Sequence, residues 1–341
     1  MLDGPHQAVV RDIPEPPRAP DEVLVAMDRV GICGSDLAVY AGTRRAKYPL
    51  VLGHEGVGRV VDPGSSPYGH DARVVVEPNI PCGTCVICRR GQGHVCPTKR
   101  SLGMNAPGVF AELVAVPAEF VHPLPETLTF ADAVGIEPLA VALHAFGAGH
   151  VAACEPVAVI GCGAEGLLLL RVAATFGARV LALDVRPERL EVARSHGAQQ
   201  VALVPSAGAA TEVAERIARE WCPAVVFEAA GAAAALDLAM QVVAPGGRIV
   251  AVGLAANPIR LLPLAFVRRG LTLVGSLIYD HPADFEWAID VVNQRKIQPS
   301  TLVTEVLDGL ESLPAALATL AAGESGGKTI VRFSTRREER A

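Results

Sequence analysis

Two different patterns of apolar and polar positions divide the chain. From about Val23 to Pro125, short runs rich in β-branched residues (23–30, 73–77 and 110–116) are separated by Gly and Pro, which predicts an irregular, mostly β domain. From Pro156 onward the pattern becomes strand and helix in alternation. Strands are predicted over residues 157–160, 180–184, 201–204, 224–228, 248–253 and 271–275. Strands joined in this way by helices imply an α/β domain with a parallel, doubly wound sheet. The punctuation agrees. Pro187 opens a helix predicted over 188–196 and Gly197 closes it, while Pro245, Gly246 and Gly247 mark the turn before the strand at Arg248. After Ser276, helices over 282–292 and 313–322 and a last strand over 329–333 are read as returning to the first domain.

Length and composition narrow the picture. A chain of 341 residues exceeds what one core usually supports, so two domains are expected, with a cofactor in the cleft between them. Hydrophobic residues at 50% and charged ones at 19% describe a well-buried chain, and only the tail over 334–341 reads otherwise. The net charge of -6, without a long basic run, excludes nucleic acid as a partner. The apolar stretches are broken by Gly, Pro, His or Glu before they reach the length of a membrane span, so no membrane association is expected. Met1 to Gln7 lacks the basic end and apolar run of a signal peptide, and a cytoplasmic location is expected. In that reducing compartment the eight cysteines point to metal or thiol chemistry rather than disulfides.

Three local motifs carry candidate chemistry. In PVAVIGCGAEG a predicted strand runs into Gly161, Gly163 and Gly166, with Ala164 and Glu165 between the last two. Such a loop lets the backbone turn tightly and approach a pyrophosphate, with helix N-terminal amides facing the anion. Asp184 closes the next strand, where a carboxylate accepts ribose hydroxyls and repels a 2'-phosphate; this favours NAD over NADP. Arg186 and Arg189 lie close enough in sequence to soften the preference, and a plain helix-capping role for Asp184 is the alternative.

In PCGTCVICRRGQGHVC, Cys82, Cys85, Cys88 and Cys96 have the spacing C-x-x-C-x-x-C-x7-C. Four thiolates on one loop close a tetrahedron around zinc and leave no position for substrate, which makes the site structural; an iron-sulfur cluster is the rival. A dispersed set is ambiguous residue by residue: Cys33 in GICGSD, His54 and Glu55 in LGHEGVG, and Glu137 in GIEPLAVALHA. Together these supply a thiolate, an imidazole and carboxylates, the donors of a catalytic zinc site with an open position.

The GHE segment with its following glycines, the four-cysteine lobe, EPLAVALHA and GCGAEG match in order and spacing, and by them the chain resembles the zinc-dependent medium-chain dehydrogenases/reductases over nearly its whole length. Within these it is similar to the polyol branch of sorbitol, threonine and related dehydrogenases. The resemblance implies a GroES-like catalytic domain over 1–140 with its structural zinc lobe at about 80–98, a Rossmann domain over 141–276, and a return to the catalytic domain over 277–341. It also implies two zinc ions per chain, NAD, an alcohol or ketone substrate of small size, and a homo-oligomer, tetramer or dimer. On it, Cys33, His54 and Glu137 take the protein-ligand positions of the catalytic ion, and Glu55 either binds that ion or supports it from behind. Ser35 would hydrogen-bond the substrate oxygen and start its proton toward solvent, and Asp36 would orient the His54 ring. The alternatives are a turn-forming serine and a helix-capping aspartate.

Two departures stand out. Ala38 occupies the position where many relatives carry a later histidine of the proton relay, and the start at Met1-Leu2-Asp3-Gly4 reads as a shortened edge strand. The implied reaction is hydride transfer between a polyol-type secondary alcohol and NAD. Its alternatives are oxidation of threonine or of a simple secondary alcohol, ketone reduction, and a non-enzymatic NAD-binding protein.

Overall fold

The computed structural model describes residues 1–204, 210–323 and 327–333; the tail expected over 334–341 lies outside them. Two compact units emerge, one formed by Met1–Glu137 with Asp280–Ala341 and the other by Pro138–Tyr279.

The first unit contains strands β1 (Glu22–Gly31), β2 (Glu55–Asp62), β3 (Arg73–Val76), β4 (Asn79–Ile80), β5 (Arg100–Ser101), β6 (Leu113–Pro117) and β7 (Val121–Pro123). The second contains β8 (Pro156–Ile160), β9 (Arg179–Asp184), β10 (Gln200–Leu203), β11 (Val225–Glu228), β12 (Arg248–Ala251) and β13 (Thr272–Gly275). The chain then supplies β14 (Val303–Asp308) and β15 (Lys328–Arg332) to the first unit. Four helices matter below: α1 (Gly34–Tyr40), α2 (Phe130–Ala133), α3 (Ile136–Ala148) and α4 (Ala164–Thr175).

β1 organises the first sheet, whose order is β14-β15-β1-β2-β3-β7. It pairs antiparallel with β2 along one edge, while its other edge is shared: residues 22–26 pair with β6 and residues 29–31 with β15. Alternation along these strands sends Val23, Val25, Val30, Val60, Val74, Val76 and Val116 into a common core, each fully buried. The second sheet has the order β10-β9-β8-β11-β12-β13, with every neighbouring pair parallel. This is the doubly wound arrangement, and its strands are near-continuous apolar runs because helices cover both faces.

Local differences from the expected elements have physical reasons. Residues 110–112 are not strand: Phe110 N–H donates to Leu52 O at 2.9 Å and Gly108 N–H to Val51 O at 2.8 Å, so this segment supports the loop before β2. The strand expected to reach Gly253 ends at Ala251, where a Cβ on Gly253 would lie 2.2 Å from Gly231 N. No strand forms over residues 1–8, where Leu2 instead makes isolated bridges to Leu50 and Ala8. Leu2 exchanges backbone hydrogen bonds with Leu50 at 2.7 and 2.9 Å and is completely buried. Leu2→Ala is therefore expected to cost about 2–5 kcal/mol, as truncation of a buried leucine does. Denaturant unfolding monitored by circular dichroism measures it; a loss under about 0.5 kcal/mol, the range of surface substitutions, would mean that this corner carries no stability.

Candidate active site

α1 begins with a reciprocal cap that ties its first turn to the loop before β2. Cys33 is the N-cap, and Asp36, three residues on, accepts the Cys33 N–H at 2.9 Å. The other oxygen of the same carboxylate accepts the Gly53 N–H at 3.0 Å and lies 3.3 Å from His54 Nδ1, a close charge contact rather than an aligned hydrogen bond. Asp36 is fully buried. It thereby holds a thiol and an imidazole from separate segments, and the donor atoms of Cys33, His54 and Glu55 come within 4.8 Å of one another. Ser35 lies half-buried in the same first turn, and Ala38 follows one turn later with no group to relay a proton.

The electrostatics of this cluster favour a cation. Burial opposes ionisation of Asp36, but the His54 charge and the two backbone donors outweigh it and lower the carboxyl pKa. Burial likewise opposes charging of His54, and Asp36 together with Cys33 overcomes this, raising the imidazole well above its ordinary value. A thiol, an imidazole and a carboxylate in a buried pocket that stabilises positive charge fit a zinc ion.

Glu55 and Glu137 are placed differently. Glu55, completely buried at the start of β2, is paired with the ammonium of Lys328 at the start of β15. Burial would lower the Lys328 pKa, but Glu55, with Cys33 and Glu137 contributing, raises it. The two strands reach each other across β1, where Gly31 stands opposite Glu55; a Cβ there would lie 2.1 Å from Glu55 Oε2 and 3.0 Å from Lys328 Cε. Glu137 is buried in the first turn of α3 and does not join the three converging donors. Lys328 escapes sequence reasoning, because a lysine opening the strand KTIVR, which also ends on Arg332, carries no local signal of a buried partner.

The four cysteines form the second cluster. Their Sγ atoms are 3.4 Å apart for Cys85–Cys88 and 3.9 Å apart for both Cys82–Cys88 and Cys85–Cys96. A tetrahedral zinc with bonds of about 2.3 Å sets its sulfurs about 3.8 Å apart. All four are free thiols. Hydrogen bonds from Thr98, then from the Thr84 and Cys85 backbone, lower Cys82 to about 5, whereas desolvation and the neighbouring thiols push Cys88 up to about 12. A divalent cation removes this mutual opposition by stabilising all four as thiolates.

In the second unit, β8 turns into α4 through the predicted glycines. Gly161 has φ +95, and a Cβ on Gly166 would lie 1.8 Å from Gly161 O, so both are required by the protein's own packing. Gly163, the N-cap of α4, differs: a Cβ there meets nothing within 4 Å. The open space above it, beside the first-turn amides of Ala164, Glu165 and Gly166, fits the close approach of a pyrophosphate. Asp184, buried at the end of β9, accepts Cys162 N–H at 2.7 Å and Arg186 N–H at 2.9 Å, and its carboxylate is 3.9 Å from Arg189 Nη1. It therefore joins the glycine loop to the turn after β9, and the helix-capping alternative accounts for only part of its contacts. Glu228, at the end of β11, does similar work, with Oε1 accepting both Ala230 and Gly231 N–H at 2.9 Å. It too went unmarked in the sequence, where it reads as the end of an apolar run.

Comparison with known proteins agrees with this architecture. Residues 19–126 match the Alcohol dehydrogenase GroES-like domain and residues 165–294 match Zinc-binding dehydrogenase. The chain is 33% identical to D-xylulose reductase A of Aspergillus oryzae, with 97% of this chain and 95% of that one covered. Galactitol-1-phosphate dehydrogenase from Escherichia coli superposes with a TM-score of 0.89 at 29% identity, covering 97% of this chain and 98% of that one. A zinc-binding dehydrogenase from Sinorhizobium meliloti 1021, bound to NADP, superposes with a TM-score of 0.86 at 29% identity, covering 94% and 95%. The fold and clusters define a zinc-type dehydrogenase built from a GroES-like and a Rossmann domain. The chain belongs to the zinc-dependent medium-chain alcohol and polyol dehydrogenases, oxidoreductases of secondary alcohols that act on CH–OH donors.

Two outcomes follow from these clusters. Because Gly163 faces open space, Gly163→Ala is expected to keep the thermal midpoint within about 2 °C of the parent while weakening dinucleotide binding at least about tenfold, read by calorimetric titration; unchanged affinity would remove the loop from the binding site. Cys88→Ser is expected to lower bound zinc by one ion per chain and to reduce the midpoint; full zinc content by elemental analysis would refute metal binding at the lobe.

Proposed function

We propose that this chain is an NAD-dependent zinc dehydrogenase that transfers a hydride between the carbinol carbon of a polyol, sugar or cyclitol and the nicotinamide. The observation that carries the reading is the convergence of Cys33, His54 and Glu55 on one buried point under the control of Asp36. Cys33, His54 and Glu137 would hold the catalytic zinc, with Glu55 supporting it or exchanging with Glu137; Cys82, Cys85, Cys88 and Cys96 would hold a second, structural ion. The dinucleotide would lie over Gly161 to Gly166 with its ribose at Asp184 and Arg189 beside it. The domain limits proposed are 1–140 and 277–341 for the catalytic part and 141–276 for the dinucleotide part. A cytoplasmic homo-oligomer, dimer or tetramer, completes the reading.

When bound, zinc supplies the Lewis acidity that makes an alcohol hydroxyl acidic near neutral pH, and the nicotinamide supplies the hydride acceptor. The protein's own residues manage the rest. Asp36 fixes the His54 ring by contact at Nδ1, which leaves Nε2 for the metal. Ser35 Oγ accepts a hydrogen bond from the substrate hydroxyl and, as it takes up that proton, releases its own toward solvent, because Ala38 offers no further relay group. Lys328 neutralises Glu55, so a second carboxylate is tolerated close to the thiolate and imidazole. Asp184 disfavours a 2'-phosphate and so selects NAD.

The polyol reading draws on the carboxylate at position 137 and on relatives named for xylulose and galactitol 1-phosphate. Threonine, simple secondary alcohols and ketones form the alternative substrate classes. A panel of polyols, cyclitols, threonine and simple alcohols, followed by NADH absorbance with NADP in parallel, tests it. Turnover is expected with polyols and NAD; activity confined to simple alcohols or to NADP would overturn the substrate or cofactor reading respectively. Cys33→Ala and His54→Ala are expected to lower kcat at least about a thousandfold while NAD affinity stays within about twofold. Normal turnover by either variant would contradict the catalytic centre.

A further inference from the structure

A second buried group of donors lies in the first unit, apart from Cys33 and from the cysteine lobe. Glu77 follows β3 and is completely buried, His122 lies in β7 and is buried, and His281 is half-buried ahead of the helix Ala283–Asn293. One oxygen of Glu77, Oε2, lies 2.7 Å from His122 Nε2 and 2.8 Å from His281 Nδ1. The other, Oε1, is buried and has no hydrogen-bond partner among the described residues. Such an orphaned carboxylate oxygen is costly and asks for an explanation.

The imidazoles are held with these nitrogens converging. His281 stacks on Phe120 with centroids 4.4 Å apart, and His122 stacks on Phe285 at 4.9 Å. Burial disfavours a charged His281, yet the Glu77 hydrogen bond and the charges of Glu77, Glu119 and Glu286 outweigh it, so the local field attracts cations. We propose that Glu77, His122 and His281 form a third metal site that takes a divalent transition ion of the zinc class. Two imidazole nitrogens and a carboxylate are the donor set such an ion accepts, and the unpartnered Oε1 becomes its fourth donor or orients a water.

The donors stand closer than the roughly 3.3 Å expected around a tetrahedral ion with bonds near 2.05 Å, so binding spreads them by about half an ångström. His281 can supply that movement, since its side chain is 26% exposed whereas Glu77 is enclosed. The competing arrangement is a pure hydrogen-bond triad, in which both imidazoles donate N–H to Glu77 and no ion is taken up. The two differ in measurable metal content and in the absence of sulfur from the added site.

The test compares the holoenzyme with His281→Gln and His122→Asn after zinc saturation and desalting. Elemental analysis is expected to return one zinc ion more per chain in the parent than in either variant. Cobalt(II) saturation identifies the source of the difference. The parent-minus-variant spectrum is expected to hold weak visible bands only, because the proposed site has no thiolate, whereas the two cysteine-containing sites give intense near-ultraviolet charge transfer. Equal metal content in all three proteins overturns the proposal, as does a difference spectrum that contains the thiolate band. Should either variant misfold by circular dichroism, the parent alone decides: cobalt added after the thiolate bands saturate either produces a further stoichiometric sulfur-free spectrum or does not. These readouts leave the Cys33 centre untouched, so this site and the proposed dehydrogenase activity stand or fall separately.

Discussion

The Asp36 carboxylate is the constraint on which the candidate catalytic centre depends. It is completely buried, and it survives as an anion only because two backbone amides and an imidazole surround it. Those three partners belong to Cys33, Gly53 and His54, so the group that caps α1 also fixes the loop before β2 at a set distance from it. Helix capping, loop closure and ligand orientation are thus one interaction. The Glu55–Lys328 pair extends the same logic to β2 and β15, because the pair is enclosed only while Gly31 leaves room between the strands.

The dinucleotide unit repeats this use of buried carboxylates. Asp184 and Glu228 end parallel strands, and each collects backbone N–H groups from the turn that follows its strand or from the neighbouring glycine loop. In a parallel sheet covered on both faces, the strand ends are where the ladder stops and amides are left over. Carboxylates at these positions satisfy them without lengthening the strand. The result is a set of turns whose shape is set by side chains rather than by the sheet.

How much was readable in the sequence depends on how local each signal is. The six strands of the second sheet lie within one residue of their expected bounds except at Gly253, because each is a short apolar run bracketed by Gly, Pro or a helix cap. The cysteine lobe and the glycine loop are equally legible, since each closes on itself within a few residues. Long-range pairings are not. Lys328 meets Glu55 across 273 positions, and His281 meets Glu77 across 204, with nothing in either neighbourhood to announce it. Glu137 is intermediate: its motif marks it as a ligand candidate, while the structure leaves it outside the three converging donors. Phe110 misled for a different reason. Its run is apolar enough for a strand, but its backbone hydrogen bonds go to Leu52 in place of a sheet neighbour.

The double engagement of Asp184 also constrains how cofactor preference can change in a protein of this design. The carboxylate proposed to read the ribose is the same one that anchors the Cys162 and Arg186 amides. Replacing it to admit a phosphate would release the glycine turn from β9 at the moment a new ligand is to be gripped by that turn. On that proposal, a shift toward NADP is more accessible through a neighbour such as Val185, which is exposed, than through the aspartate itself. Under that proposal, selectivity for the nucleotide and rigidity of its cradle rest on one carboxylate, and drift in one is held in check by the need for the other.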